Sequence, residues 1–125
     1  MVEGLRYQPL NMPTPDEKFT IGVEEEYQII HPETRALRSR ASRILPEAER
    51  AVGDHVQSEL YLSQIEIGTP ICQTLSEVRS EVTRLRREVI AAAEHKGSSI
   101  AAAGTHPFSH WGGTAPYSEG ALHRD

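Results

Sequence analysis

The chain has a single cysteine, Cys72, so no disulfide can form within it, and a reducing compartment is expected. Basic charge is also short: 13 Lys and Arg against 18 Asp and Glu leave a net charge of −5, unlike a general nucleic-acid binder. Long apolar runs are missing. Nothing approaches the roughly 18 consecutive apolar residues of a membrane helix. The opening MVEGLRYQPLNMPTPDEK has no apolar core of a secretory signal. These absences point to a cytoplasmic protein with neither nucleic acid nor membrane as partner. At 125 residues it has room for one domain with a modest core.

What is present begins at Phe19–Ile30, FTIGVEEEYQII. Phe19, Ile21, Val23, Tyr27 and Ile29 share one parity, the period of a strand with one buried face. Glu24 and Glu26 lie on the other parity, about 7 Å apart along the strand. Glu25 falls on the apolar parity, against the pattern. Two carboxylates on a strand face are tolerable in water, where their repulsion is about 0.6 kcal/mol. Recessed from water, they call for a cation.

Upstream, residues 1–18 carry three of the eight prolines and read as a flexible leader. Downstream, HPETRAL reads as a turn into a return segment. Arg35, Arg38, Arg40 and Arg43 follow, either a solvated basic edge or a phosphate or carboxylate contact. Residues 40–52 form a weakly amphipathic helix candidate interrupted by Pro46 and closed by Gly53. A second strand is expected over Val56–Ile67, with Glu66 on its polar face, ending at Thr69-Pro70.

The clearest helix starts at Thr74-Leu75-Ser76-Glu77, a capping box. Leu75, Val78, Val82, Leu85, Val89 and Ala93 then recur at steps of three and four, with Arg86 off this stripe. His95 and Lys96 suit the negative end of the helix dipole, and Gly97 supplies the stop. A third strand is read over Ser98–Gly104, running into the loop around His106. Tyr27, Cys72 and Trp111 read as packing residues. The expected fold class is α+β: an antiparallel or mixed sheet with an acidic face, covered by helices on the other side.

Glu24, Glu26, Glu66, Glu59 and His106 are the candidate chemistry. Carboxylate oxygens are the hard ligands that Mg²⁺ and Mn²⁺ prefer, and strand-borne acids on one face can hold such ions against nucleotide phosphates. Surface acids on amphipathic strands are common, however, and a histidine in a Gly-Thr-His-Pro loop is by itself a turn residue.

Taken together, TIGVEEEYQII, SELYLSQIEIGTPIC, the long helix and SIAAAGTHPFSHW resemble the amino-terminal part of the carboxylate–amine ligases, the glutamate–cysteine ligase type 2 family. The resemblance runs from about Phe19 to Trp111 and implies a partial glutamine synthetase-like catalytic sheet. It implies Glu24, Glu26, Glu59, Glu66 and His106 as metal ligands around Mg²⁺ or Mn²⁺ and ATP, with His106 alternatively a phosphate contact. The implied reaction is ATP-dependent amide formation between a carboxylate, glutamate, and an amine such as cysteine, by way of an acyl phosphate. Glu59 and Glu66 differ by an odd number, so a bulge or bend must separate them if both face the site.

Family members are much longer. The expectation is therefore a flexible leader over 1–18, the amino-terminal part of a ligase catalytic domain over 19–111, and a truncated end over 112–125. Such a fragment would be inactive alone and completed by the remainder of the enzyme or by a homo-oligomer. A non-catalytic metal- or partner-binding remnant, or a small structural domain, is the alternative.

Overall fold

The computed structural model of the chain describes residues 18–110. Its centre is the strand β1, Glu24–Ile30, flanked by two antiparallel neighbours. In chain order there follow the helix α1 (Ala41–Val52), strands β2 (Val56–Ser58) and β3 (Gln64–Gly68), the helix α2 (Leu75–His95) and strand β4 (Ser99–Ala101). The four strands lie in the order β2-β3-β1-β4, every pairing antiparallel. Both helices cover one face of this sheet, so the α+β expectation holds.

Alternation along β1 decides what each face is. Tyr27 and Ile29 point at the helices and are buried, as are Ile65 and Ile67 from β3 and Val56 from β2. They meet Ala41, Ile44, Leu45, Ala48 and Val52 of α1 and Leu85, Val89, Ala92 and Ala93 of α2 in one cluster. Fully burying each large aliphatic residue contributes about 1.5–3 kcal/mol, so this layer holds the domain together. Pro46 sits inside α1 without ending it.

The capping box of α2 forms as its sequence implies. The Glu77 amide donates to Thr74 Oγ1 at 3.2 Å, and the Thr74 amide donates back to Glu77 Oε2 at 3.3 Å. At the other end Gly97 adopts φ 67, the left-handed conformation that ends helices and favours glycine. His95 and Lys96 reach across to Glu47 of α1, at 2.6 and 3.1 Å, and tie the two helices.

The apolar stripe of α2 is buried only in its second half. Leu85 and Val89 are fully buried, whereas Leu75 is 77% exposed. A 21-residue helix is about 31 Å long, more than the sheet beneath it can cover.

Three strand expectations change in extent. The first begins at Glu24, not Phe19, because one extra residue on the Thr69–Cys72 side breaks the register, leaving Ile21 bridged to Cys72 and Phe19 exposed. The single strand over Val56–Ile67 is two strands joined by a reversal at residues 59–63. The third covers Ser99–Ala101 only. Cys72 is buried, as read for packing, and so is Tyr27. The leader up to residue 17, Trp111 and residues 112–125 lie outside the described residues.

Candidate functional site

The sheet face away from the helices is polar, and its register explains how the acids gather. Glu26 of β1 lies directly opposite Glu66 of β3, and Glu66 lies opposite Gln57 of β2. One row across three strands thus reads Gln57, Glu66, Glu26. The next row carries Gln64, Gln28 and Ala101, and Glu24 pairs with Gly68 on the far side. Adding a Cβ at Gly68 would bring it only 3.9 Å from Glu24 Cγ, ordinary contact, so Gly68 leaves the flank of Glu24 open.

Glu59 joins this face because the chain reverses after Ser58. On a single strand, the odd spacing of Glu59 and Glu66 would separate them. On two antiparallel strands it does the opposite: Gln57 faces Glu66, and Glu59, two residues on from Gln57, falls on the same side. The bend required by the spacing is an entire hairpin turn.

The electrostatics agree with this geometry. The Glu66 carboxyl is held above the ordinary carboxylate range, first by the hydrogen-bonded Glu59 carboxyl beside it, then by partial burial. The Gln57 amide opposes this, and the Glu24 and Glu59 charges reinforce it. Two carboxyls in hydrogen-bond contact need a shared proton or a cation between them.

Two glutamines hold the acids in place: Gln57 Nε2 donates to Glu66 Oε1 at 3.1 Å, and Gln64 Nε2 to Glu26 Oε1 at 2.5 Å. Among the described residues, no three His, Cys, Asp or Glu side chains converge into a ready-made metal cage. The donors share a face and a chemistry. The side chains of Glu66 and Glu26 are turned to these glutamines, and Glu59 Oε2 accepts the Leu60 amide at 2.8 Å.

His106 lies farther along the same face, with both ring nitrogens engaged. Nδ1 accepts the amides of Phe108 (3.3 Å) and Ser109 (3.0 Å), so Nε2 carries the proton and donates to the Arg35 carbonyl at 2.7 Å. Arg35 itself has φ 63. In this arrangement the imidazole pins the 104–109 loop to the turn after β1.

The arginine run is partly structural. Arg38 Nη1 donates to the Gly97 carbonyl at 2.7 Å. Arg40 is held below the usual guanidinium range by burial and by the Arg38 and Arg43 charges.

Sequence reasoning missed what Glu25 does. It points into the helix side of the sheet, where Arg86 of α2 grips it with two nitrogens, Nε to Oε2 at 2.7 Å and Nη2 to Oε1. The Tyr27 hydroxyl donates to the same carboxylate. Arg86 is the main cause that lowers the Glu25 pKa, while burial and the Glu25 charge raise that of Tyr27. An acid on an apolar parity was the available signal; its partner, 61 residues away, gave none.

Residues 20–120 match the sequence profile described as glutamate-cysteine ligase family 2. A Herpetosiphon aurantiacus protein provisionally named glutamate–cysteine ligase 2 is 50% identical over 97 residues, 78% of this chain and 25% of its own length. Proteins of the same provisional name from Roseiflexus castenholzii and Chloroflexus aggregans are 44% and 47% identical, over 81% and 77% of this chain and 27% and 25% of theirs. The chain therefore spans about a quarter of the length of the curated relatives it matches.

Proposed function

Because the chain belongs to glutamate–cysteine ligase family 2, we propose that it supplies the acidic wall of the catalytic sheet of an ATP-dependent carboxylate–amine ligase. The reaction is amide formation between a carboxylate substrate, glutamate, and an amine such as that of cysteine. The carboxylate takes the γ-phosphoryl group of ATP and releases ADP; the amine nitrogen then attacks the acyl carbon and phosphate leaves. The unpaired Cys72 fits a reducing compartment, and we assign the protein to the cytoplasm. No helix among the described residues is long and apolar enough to cross a membrane.

One observation carries this reading. Glu24, Glu26, Glu59 and Glu66 occupy one open sheet face, and the Glu66 carboxyl is held protonated to higher pH by its acidic neighbours. Crowded carboxylates of this kind are hard oxygen donors suited to Mg²⁺ or Mn²⁺. Such ions, when bound, neutralise charge developing on the transferred phosphoryl group.

The protein's own residues have distinct parts. Glu24, Glu26, Glu59 and Glu66 would hold the ions. Gln57 and Gln64 orient two of these carboxylates. From the opposite face, the Arg86–Glu25–Tyr27 contact fixes β1 against α2 and so fixes where Glu24 and Glu26 project. His106 would become a nitrogen ligand or phosphate contact only by giving up the Arg35 carbonyl.

Paramagnetic broadening by Mn²⁺ in amide NMR spectra tests the reading. Signals of Glu24, Glu26 and Glu66 should broaden first, while Glu49 and Glu81, acids on the helices, should stay sharp. Equal broadening of both groups would mean diffuse attraction to a negative surface, and the assignment would fall.

A further inference from the structure

Three acids of the open face each have one oxygen already engaged by a neutral N–H donor. Gln57 Nε2 donates to Glu66 Oε1 at 3.1 Å, and Gln64 Nε2 donates to Glu26 Oε1 at 2.5 Å. Glu59 Oε2 accepts the amide of the residue after it, Leu60, at 2.8 Å. An ionised carboxylate only accepts hydrogen bonds, so it is the NH₂ end of each glutamine that faces it.

The choice of partner is informative. A sheet that only had to quiet its acids would place a lysine or arginine across from them. Instead glutamine stands directly opposite Glu66 and diagonally from Glu26. A glutamine orients a carboxylate and leaves its negative charge in place, as the outer partners of metal-binding carboxylates do. The partial positive charge of its N–H also opposes a cation that straddles both oxygens. The other oxygen is then the favoured single donor.

Single-oxygen donors discriminate between cations. Ca²⁺ gathers about six to eight oxygens at roughly 2.3–2.6 Å and often takes a carboxylate by both of its own. Mg²⁺ is held octahedrally at about 2.0–2.1 Å, keeps several waters, and needs only one or two carboxylates. Among the described residues no three acids converge into a cage, so few protein oxygens reach any one ion. Few ligands, each giving one oxygen, suit the smaller and more hydrated ion.

We propose that Gln57 and Gln64 are specificity-determining residues: by holding one oxygen each of Glu66 and Glu26, they make the acid row select Mg²⁺ and Mn²⁺ over Ca²⁺. This selection rests on the reading of the face as a cation site, and concerns which ion that site takes. Both glutamines act through the carboxylates and are positioning residues.

Competition against Mn²⁺, followed by the electron paramagnetic resonance signal of the free aqueous ion, provides the test. From the wild type, Mg²⁺ should displace bound Mn²⁺ at a concentration at least about tenfold lower than Ca²⁺ requires. In the double variant Gln57→Met with Gln64→Met, the two concentrations should come within about twofold of each other. Gln57 is exposed and Gln64 half-buried, and methionine is close in volume, so the metal-free melting temperature should stay that of the wild type. If the double variant melts lower, the single variants carry the test, each losing part of the preference.

Two results would overturn the role of the glutamines and leave the cation site standing. One is a preference for Mg²⁺ that survives unchanged in the variants. The other is Ca²⁺ displacing Mn²⁺ from the wild type as readily as Mg²⁺ does. Failure of the wild type to bind Mn²⁺ at all would overturn the site and its selectivity together.

Discussion

Glu25 of β1 and Arg86 of α2 form a two-nitrogen ion pair beneath the sheet, completed by the Tyr27 hydroxyl. The glutamate is 19% exposed and the arginine 49%, so water weakens the pair without dissolving it. Since Glu25 and its neighbours Glu24 and Glu26 occupy alternate faces, this contact anchors the acidic strand from behind. A double-mutant cycle between Glu25→Gln and Arg86→Ala should give a coupling of about 0.5–1.5 kcal/mol, read from urea midpoints. Additive losses would mean the pair is ornamental. Arg86 lies off the apolar stripe, yet its removal is expected to be felt.

The same pair sets an acid limb. The folded pKa of Glu25 lies below the ordinary carboxylate range, chiefly through Arg86. A depressed carboxylate contributes stability that is present above the unfolded pKa and is lost as pH falls through the folded one. The stability advantage of the wild type over Glu25→Gln should therefore be full near neutrality and shrink below about pH 4.5. Glu66 has the opposite sign. Its raised pKa means stability present at low pH is lost as pH climbs through the raised value, so Glu66→Gln should flatten that fall. A pH titration of melting temperature in the two variants distinguishes the limbs, and parallel curves would contradict both assignments.

Packing along α2 is expected to be uneven. Leu85 is fully buried, so Leu85→Ala should cost about 2–5 kcal/mol. Leu75→Ala, at a side chain 77% exposed, should cost about 0.5 kcal/mol or less. Urea denaturation of both variants checks this, and similar losses would mean that the front half of the helix is covered.

The capping box gives a fourth stability test. Thr74→Ala removes the acceptor for the Glu77 amide and should cost about 1 kcal/mol. An unchanged urea midpoint would show that Glu77, which also accepts the Gln73 amide at 2.6 Å, holds the helix start without the threonine.

How far the sequence could be read follows from which forces act locally. Parity along β1 is a local property, and it separated Glu24 and Glu26 from Glu25 correctly. The capping box and Gly97 are local too, and both were legible. The reversal at residues 59–63 was not, because Glu-Leu-Tyr-Leu-Ser contains no Gly, Pro, Asn or Asp to mark a turn. Its backbone is held instead by tertiary contacts, such as the Ala41 amide donating to the Leu62 carbonyl at 2.8 Å. Phe19 and Leu75 matched an apolar period yet lie exposed, since periodicity says nothing of where the opposing layer ends. Gln28 shares the parity of Glu24 and Glu26, yet it is buried, in a cavity wall it shares with residues of the 104–109 loop, far away in sequence.

The central claim is that the acids of the open face hold a divalent cation, and the melting temperature in Mn²⁺ tests it most directly. A cation that binds only the folded state raises stability by mass action, about 2.7 kcal/mol at a hundredfold excess over Kd. Relief of the Glu59–Glu66–Glu24 repulsion adds to its affinity. The melting temperature of the chain should rise with Mn²⁺ concentration. The rise should vanish in Glu24→Gln and in Glu66→Gln, and persist in Glu25→Gln, which starts from a lower baseline. A rise of equal size in all four proteins, or none in the wild type, would contradict the account.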